Sequence, residues 1–186
     1  MLLFNIINEL FRGLPFFSPI IFFVIFLVKK DIYMFYIFIG TFFIGCITQI
    51  CKTVIFKYIE FFISYYKLVS IKSILGSFER PPNAKNCGSF YENETNFSYT
   101  RGMPSGHSIL AGYISIYMYY YIIDKYKIDK SKHNYILLYC ILFTSYTMYT
   151  RVLFNCHTLQ QTIMGAIIGA FIGHYYYLLS KKFIND

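Results

Sequence analysis

The sequence lacks several features that soluble proteins usually have. It contains no tryptophan, and charged residues make up only 14% of its 186 residues, whereas soluble domains carry about 25%. Acidic residues are scarce, with 9 aspartates and glutamates against 17 lysines and arginines. The lysines lie between apolar segments and form no single stripe. We therefore expect a membrane protein and no nucleic-acid partner.

Cysteines at CxxC spacing and a recognisable signal peptide are also absent. The five cysteines form an odd number, which argues against a complete disulfide framework, so we expect buried or free thiols. Cys156 stands out because it precedes His157. The N-terminus has no basic segment and no Ala-x-Ala-like cleavage site. We therefore expect its first apolar segment to be retained as a membrane span.

Long apolar segments dominate what is present, and mean hydropathy is +0.47. A membrane-spanning helix needs about 20 residues. The pattern predicts an all-α, polytopic transmembrane helix bundle of six spans, with five as the alternative because the third segment contains Lys57, Glu60 and Lys67. That segment fits an interfacial or re-entrant helix as well as a span. The six segments are 14–28, 33–51, 53–71, 108–123, 135–150 and 158–179.

The distribution of lysines predicts the orientation of the bundle. The loop 124–134 and the C-terminal tail are lysine-rich, and such segments stay cytoplasmic. With six spans, the loop 72–107 and the segment 150–157 then share the lumenal or external face. Two glycosylation-type tripeptides, at Asn93 and Asn96, fall on that face.

Small residues recur at four-residue spacing in the last apolar segment, at Gly165, Gly169 and Gly173. This spacing predicts close helix packing, within the chain rather than between two chains.

Pro104-Ser-Gly-His107 directly precedes a predicted helix. Backbone N–H groups at a helix N-terminus bind anions. Ser105 can donate its hydroxyl, and Gly106 lets a phosphate approach the backbone; Ser105 or Ser108 can also cap the helix. His107 would lie beside the phosphate and act as a general acid.

Cationic side chains and a second histidine complete a predicted phosphate site. Lys72, Arg80 and Arg151 are the candidate phosphate ligands, although Lys72 fits interfacial snorkelling equally well. His157 can attack phosphorus through a neutral imidazole. Gln161, one helical turn later, can accept the Nδ1 proton of His157 and fix its tautomer. The cations neutralise the phosphate oxygens, so we expect neither a metal nor another cofactor.

Together these motifs resemble the type 2 phosphatidic acid phosphatase (PAP2) superfamily of membrane lipid phosphatases. Its signatures are Lys-x6-Arg-Pro, Pro-Ser-Gly-His and Ser-Arg-x5-His-x3-Asp. This sequence departs from them in three places. Seven residues, not six, separate Lys72 from Arg80, which leaves Lys52 as an alternative first-motif lysine; Thr150 replaces Ser, and Gln161 replaces Asp.

Gln161 also occurs in a pattern, His-Thr-x-x-Gln, that resembles the dolichyl-diphosphatase branch of the superfamily. Gly102-Met-Pro-Ser-x-His107 and Glu79, shortly before Arg80-Pro81, resemble the same branch. The resemblance implies a PAP2/haloperoxidase-like core, with transmembrane segments in 1–71 and the catalytic region in 72–186 of one integrated domain. It implies His157 as nucleophile and His107 as acid and base, and it assigns phosphate binding to Lys72, Arg80, Ser105, Gly106 and Arg151.

The function expected from this resemblance is metal-independent hydrolysis of a polyprenyl, dolichyl-type diphosphate through a phosphohistidine. Phosphatidate or another lipid monophosphate is the alternative substrate, and a non-catalytic lipid-binding protein is the alternative class. We expect an integral membrane protein, with the endoplasmic reticulum as candidate compartment and a lumenal site. The exact lipid and the oligomeric state stay open.

Overall fold

The computed structural model describes residues 2–82, 84, 87 and 101–186, and these ranges contain helices and no named strands. The tripeptides at Asn93 and Asn96 lie outside them. The helices are α1 (Leu2–Arg12), α2 (Leu14–Lys29), α3 (Ile32–Ile50), a π-helical turn (Cys51–Ile55), α4 (Phe56–Tyr65), α5 (Val69–Leu75), α6 (Gly106–Tyr126), α7 (Lys130–Leu153) and α8 (Leu159–Asn185).

Local signals explain several helix boundaries. Asp31 begins α3 because its carboxylate accepts a hydrogen bond from the Tyr33 backbone N–H at 3.0 Å. Thr158 and Gln161 form a capping box that begins α8. Lys30 ends α2 and Lys127 ends α6, each in the left-handed conformation that reverses the chain.

The predicted number of spans is not confirmed. Within the described ranges, three helices are long and apolar enough to cross a membrane: Ile32–Tyr65, Lys130–Leu153 and Leu159–Asn185. A fourth span results if α1 and α2, which meet at a bend of 82°, count together. The segments 33–51 and 53–71 were expected to be separate, but the π-helical turn joins most of both into one helix of 34 residues.

Helices α6 and α8 form the centre of the bundle through close backbone packing. A methyl group on Gly165 would lie 2.6 Å from the Ser105 carbonyl oxygen, and one on Gly173 would lie 2.6 Å from the Tyr113 carbonyl oxygen. At Gly169 the Ile109 carbonyl is closer still. The prediction that these glycines pack against another helix of the same chain is therefore confirmed.

This packing gives the bundle two distinct ends. At one end of the bundle, His107 lies in the first turn of α6 and His157 lies just before α8. At the other end, Lys125 lies near the C-terminus of α6 and Lys181 near that of α8. A helix of about 21 residues is about 30 Å long, so the two ends are well separated. Buried aromatic residues fill the space between them, including Tyr113, Tyr117 and Tyr177.

Candidate active site

His157 lies in the turn between α7 and α8 and is only 3% exposed. The Arg151 carbonyl in the last turn of α7 accepts hydrogen bonds from the backbone N–H groups of Cys156 at 2.9 Å and His157 at 3.2 Å. Asn155 adopts a left-handed conformation, with φ of 52°, which reverses the chain. The turn therefore holds the His157 backbone beside the end of α7.

Gln161 positions the imidazole of His157. Its Oε1 lies 3.1 Å from His157 Nδ1 and accepts a hydrogen bond from the Thr158 backbone N–H at 3.2 Å. Its Nε2 donates to the carbonyl oxygens of Ser77 at 2.8 Å and Glu79 at 2.7 Å. The side chain is fully buried, and all of its amide groups have partners. The predicted contact between His157 and Gln161 is therefore present.

The partners of Gln161 also fix which nitrogen of His157 carries hydrogen. Two carbonyl oxygens and one backbone N–H determine which end of the amide is oxygen. Because that oxygen can only accept, Nδ1 of His157 must carry the hydrogen. In the neutral ring, Nε2 then keeps its lone pair.

The segment Ser105–His107 forms the N-terminal end of α6 beside this turn. Ser105 is buried, and its backbone N–H donates to the Gln161 carbonyl at 3.1 Å. Its hydroxyl oxygen accepts a hydrogen bond from Ser108 Oγ at 3.1 Å. A methyl group on Gly106 would lie 3.0 Å from Thr48. Gly106 therefore stands where the backbone closely approaches α3.

His107 makes a contact that the sequence did not indicate. Its Nε2 lies 2.9 Å from the Arg12 carbonyl oxygen, at the bend between α1 and α2. A carbonyl oxygen only accepts, so Nε2 is the protonated nitrogen in this contact. The residues are 95 positions apart, and no local pattern connects them.

Three cations surround the two histidines. Arg80, Arg151 and Lys52 each lie within electrostatic range of both His107 and His157. Burial lowers the pKa of His157 well below its usual value, and the charges of Arg80, Lys52 and Arg151 lower it further; the hydrogen bond with Gln161 acts in the opposite direction. The His157 ring is therefore neutral at pH 7.

Arg151 is fully buried, and its Nη2 donates to the Cys87 carbonyl oxygen at 2.6 Å. Cys87 forms a disulfide with Cys156, and their Cα atoms are 5.5 Å apart. The expectation of free thiols is therefore wrong for these two cysteines, whereas Cys46, Cys51 and Cys140 are free. Cys87 and Cys156 are 69 residues apart, so their spacing in the sequence did not indicate the disulfide.

Three further residues that the sequence singled out are Lys72, Thr150 and Lys52. The backbone of Lys72 lies in α5, but its side chain is outside the described part of the structure. The Thr150 hydroxyl donates to the Thr147 carbonyl at 2.8 Å within α7. Lys52 lies in the π-helical turn, and Arg101, which the sequence did not single out, donates to its carbonyl oxygen at 3.2 Å.

Residues 2–82, 84, 87 and 101–186 contain no cluster of three or more His, Cys, Asp or Glu residues that fits a metal ion. They bring together two histidines, three cations and the N-terminal end of a helix. Such an arrangement is suited to binding phosphate and offers an unprotonated imidazole nitrogen.

These features define a helical membrane protein with a buried, cationic, two-histidine site at one end of its bundle. The model of the PAP2 superfamily matches residues 32–185, and the chain belongs to this superfamily. Its members are generally phosphatases, which suggests phosphatase-type activity. Neither a curated protein nor a solved structure matches the chain.

Proposed function

We propose that this protein is a lipid phosphatase that hydrolyses a polyprenyl diphosphate to the monophosphate and inorganic phosphate. The observation that carries the proposal is the environment of His157. Its Nδ1 is held by Gln161, and Arg80, Arg151 and Lys52 lie within electrostatic range. This combination supports a neutral nucleophile beside a site for an anion.

In the first step, Nε2 of His157 attacks the terminal phosphorus. The bond from phosphorus to the bridging oxygen breaks, and the lipid monophosphate leaves with a proton from His107, which enters the step as an imidazolium and ends it as a neutral ring. The negative charge of the bound diphosphate favours that imidazolium. In the second step, water attacks the phosphohistidine, the phosphorus–nitrogen bond breaks, and His107 accepts the proton from water. Arg80 and Arg151 would stabilise the negative charge of both transition states.

The contact between His107 and the Arg12 carbonyl is compatible with this role for His107. Nε2 already carries a hydrogen and donates it to an oxygen. A leaving phosphate oxygen would take the place of that carbonyl as acceptor. The N-terminal end of α6, with buried Ser105 and half-buried Gly106, would hold the phosphate through backbone N–H groups.

Of the two candidate first-motif lysines, we propose Lys52. Its charge lies within electrostatic range of both histidines. The π-helical turn around it supports this choice, because such turns occur often at functional sites. Lys72, on α5, is the candidate that the spacing to Arg80 in the first motif indicates.

The diphosphate substrate rests on the resemblance around Gln161 and Glu79, and phosphatidate or another lipid monophosphate remains the competing substrate. The backbone carbonyl of Glu79 binds Gln161 directly. The branch-like residues are thus part of one network beside His157. A non-catalytic lipid-binding protein would not need this support for one imidazole nitrogen.

We further propose that the site faces a lumenal or external compartment, with the endoplasmic reticulum as candidate membrane. Two observations support this orientation. The disulfide between Cys87 and Cys156 is typical of an oxidising compartment. The lysine-bearing ends of α6 and α8 lie at the other end of the bundle, as expected of a cytoplasmic face.

The proposal is tested by phosphate release from a polyprenyl diphosphate by detergent-purified protein, with and without EDTA. We expect release that resists EDTA and that His157→Ala reduces at least about 1,000-fold. Phosphatidate and a sphingoid phosphate are assayed in parallel to rank the substrates. A folded wild-type protein that releases no phosphate from any of them would contradict the proposal and favour the non-catalytic class.

A further inference from the structure

A second polar cavity lies at the end of the bundle far from His157. It has a volume of about 600 Å³ and lies among the C-terminal ends of α2, α6 and α8 and the N-terminal end of α3. Its charged lining residues are Lys29, Lys30, Asp31, Asp124, Lys125 and Lys181. Helices α2, α6 and α8 and the linker between α2 and α3 supply them, so the fold assembles this cluster from distant parts of the chain.

The two carboxylates of this cavity already have partners. Asp31 is 8% exposed, pairs with Lys125 and accepts a hydrogen bond from the Tyr121 hydroxyl at 2.6 Å. Asp124 pairs with Lys181 and accepts a hydrogen bond from the Tyr177 hydroxyl at 2.8 Å. Two lysines thus neutralise two aspartates.

Lys29 and Lys30 remain as an excess of positive charge in the cavity lining. Both are exposed and lie at the end of α2. Apolar side chains flank them on the outside of the bundle: Leu27, Val28 and Ile32 are 45%, 70% and 42% exposed. Ile32 also lines the cavity, so the cavity borders an apolar surface suited to acyl chains, and we expect its cations to lie at the level of lipid headgroups.

We propose that this cavity binds the phosphate of an anionic phospholipid, with Lys29 and Lys30 as the principal ligands. Basic pockets between transmembrane helices are suited to anionic headgroups, and lysine binds phosphate as a point charge. The volume also accommodates the polar group attached to the phosphate. This binding site is separate from the proposed hydrolytic site and does not depend on its activity.

Native mass spectrometry of the full chain in detergent tests the proposal. Phosphatidylglycerol is compared with phosphatidylcholine of the same chain length and with inorganic phosphate. We expect phosphatidylglycerol to bind most tightly. The double variant Lys29→Gln/Lys30→Gln should weaken its binding at least about tenfold, with an unchanged thermal unfolding temperature in the absence of lipid.

The matched control is Lys130→Gln/Lys132→Gln, which removes the same charge from exposed positions at the start of α7. This control should leave the affinity unchanged, and so should Arg80→Gln at the other end of the bundle. Equal weakening in both lysine double variants would show diffuse attraction and overturn the proposal. It would also be overturned if phosphatidylcholine or inorganic phosphate bound equally well, or if Arg80→Gln abolished the binding.

Discussion

The two ends of the bundle are both rich in cations, but they handle charge differently. Around His157, three cations act on two histidines, and all three charges disfavour a protonated ring. At the lysine-bearing end, two aspartates pair with two of four lysines and with tyrosine hydroxyls. The first end favours a neutral imidazole and presents positive charge suited to an anion. The second end largely neutralises itself and retains a smaller positive excess.

After the loss of His157 itself, the largest expected effect tests whether the first end needs arginine geometry as well as charge. Arg151→Lys keeps the charge but removes the planar, multiply donating group. We expect kcat/KM for lipid phosphate hydrolysis to fall by about 100-fold or more. Lys132→Arg, the reverse exchange at an exposed position near the other end, should leave kcat/KM unchanged. Activity within twofold of wild type in Arg151→Lys would mean that charge alone suffices.

Much of the first end was predictable, because its signals are local. The spacing of four residues between His157 and Gln161 predicted their contact, and the Pro104–His107 motif predicted the start of α6. The other half of the Gln161 network was not predictable, because Ser77 and Glu79 lie 84 and 82 residues away. The same reason applies to the disulfide and to the contact between Arg12 and His107.

The predicted number of spans is not confirmed, for a different reason. Lys52 interrupts the apolar sequence between the predicted segments 33–51 and 53–71. The backbone instead continues through it as a π-helical turn, so the lysine lies at the site without ending the helix.

The second end was only partly predictable. The lysines indicated the cytoplasmic face, but Asp31 and Lys125, which form an ion pair, are 94 residues apart, and only the packing of the helices brings them together.

A second prediction tests how the first end orients its nucleophile. Gln161→Glu retains an acceptor for His157 Nδ1 but has no hydrogens for the carbonyl oxygens of Ser77 and Glu79. We expect a loss of about 10- to 100-fold in kcat/KM. The new carboxylate should also raise the pKa of His157, because a negative charge favours the imidazolium.

The control for this substitution is Gln160→Glu, which adds the same charge at an exposed neighbouring position. It should change neither kcat/KM nor its acidic pH dependence. If both variants lose activity to the same extent, local charge rather than the orientation of His157 explains the effect.

A third prediction concerns the helix pair that connects the two ends. Gly169→Ala would place a methyl group against the Ile109 backbone, and we expect about 1–3 kcal/mol of destabilisation. Gly45→Ala in α3 meets no atom within 4 Å and should stabilise the helix by about 0.5–1 kcal/mol. Unfolding of both variants in the same detergent measures the difference. Equal stabilities would contradict the close packing of α6 and α8.

The smallest expected effect is a shift in pH dependence that separates the two candidate lysines. Neutral His157 is the reactive form, so kcat/KM falls as pH decreases through its pKa. Lys52→Met removes a charge that lowers this pKa, so the pKa should rise and the acidic limb should move to higher pH. Lys132→Met should leave the limb in place. Because every variant is assayed with the same lipid, the ionisation of the substrate contributes equally to each profile. A shift in Lys72→Met without one in Lys52→Met would reverse the assignment, since only a cation close to His157 can move its titration.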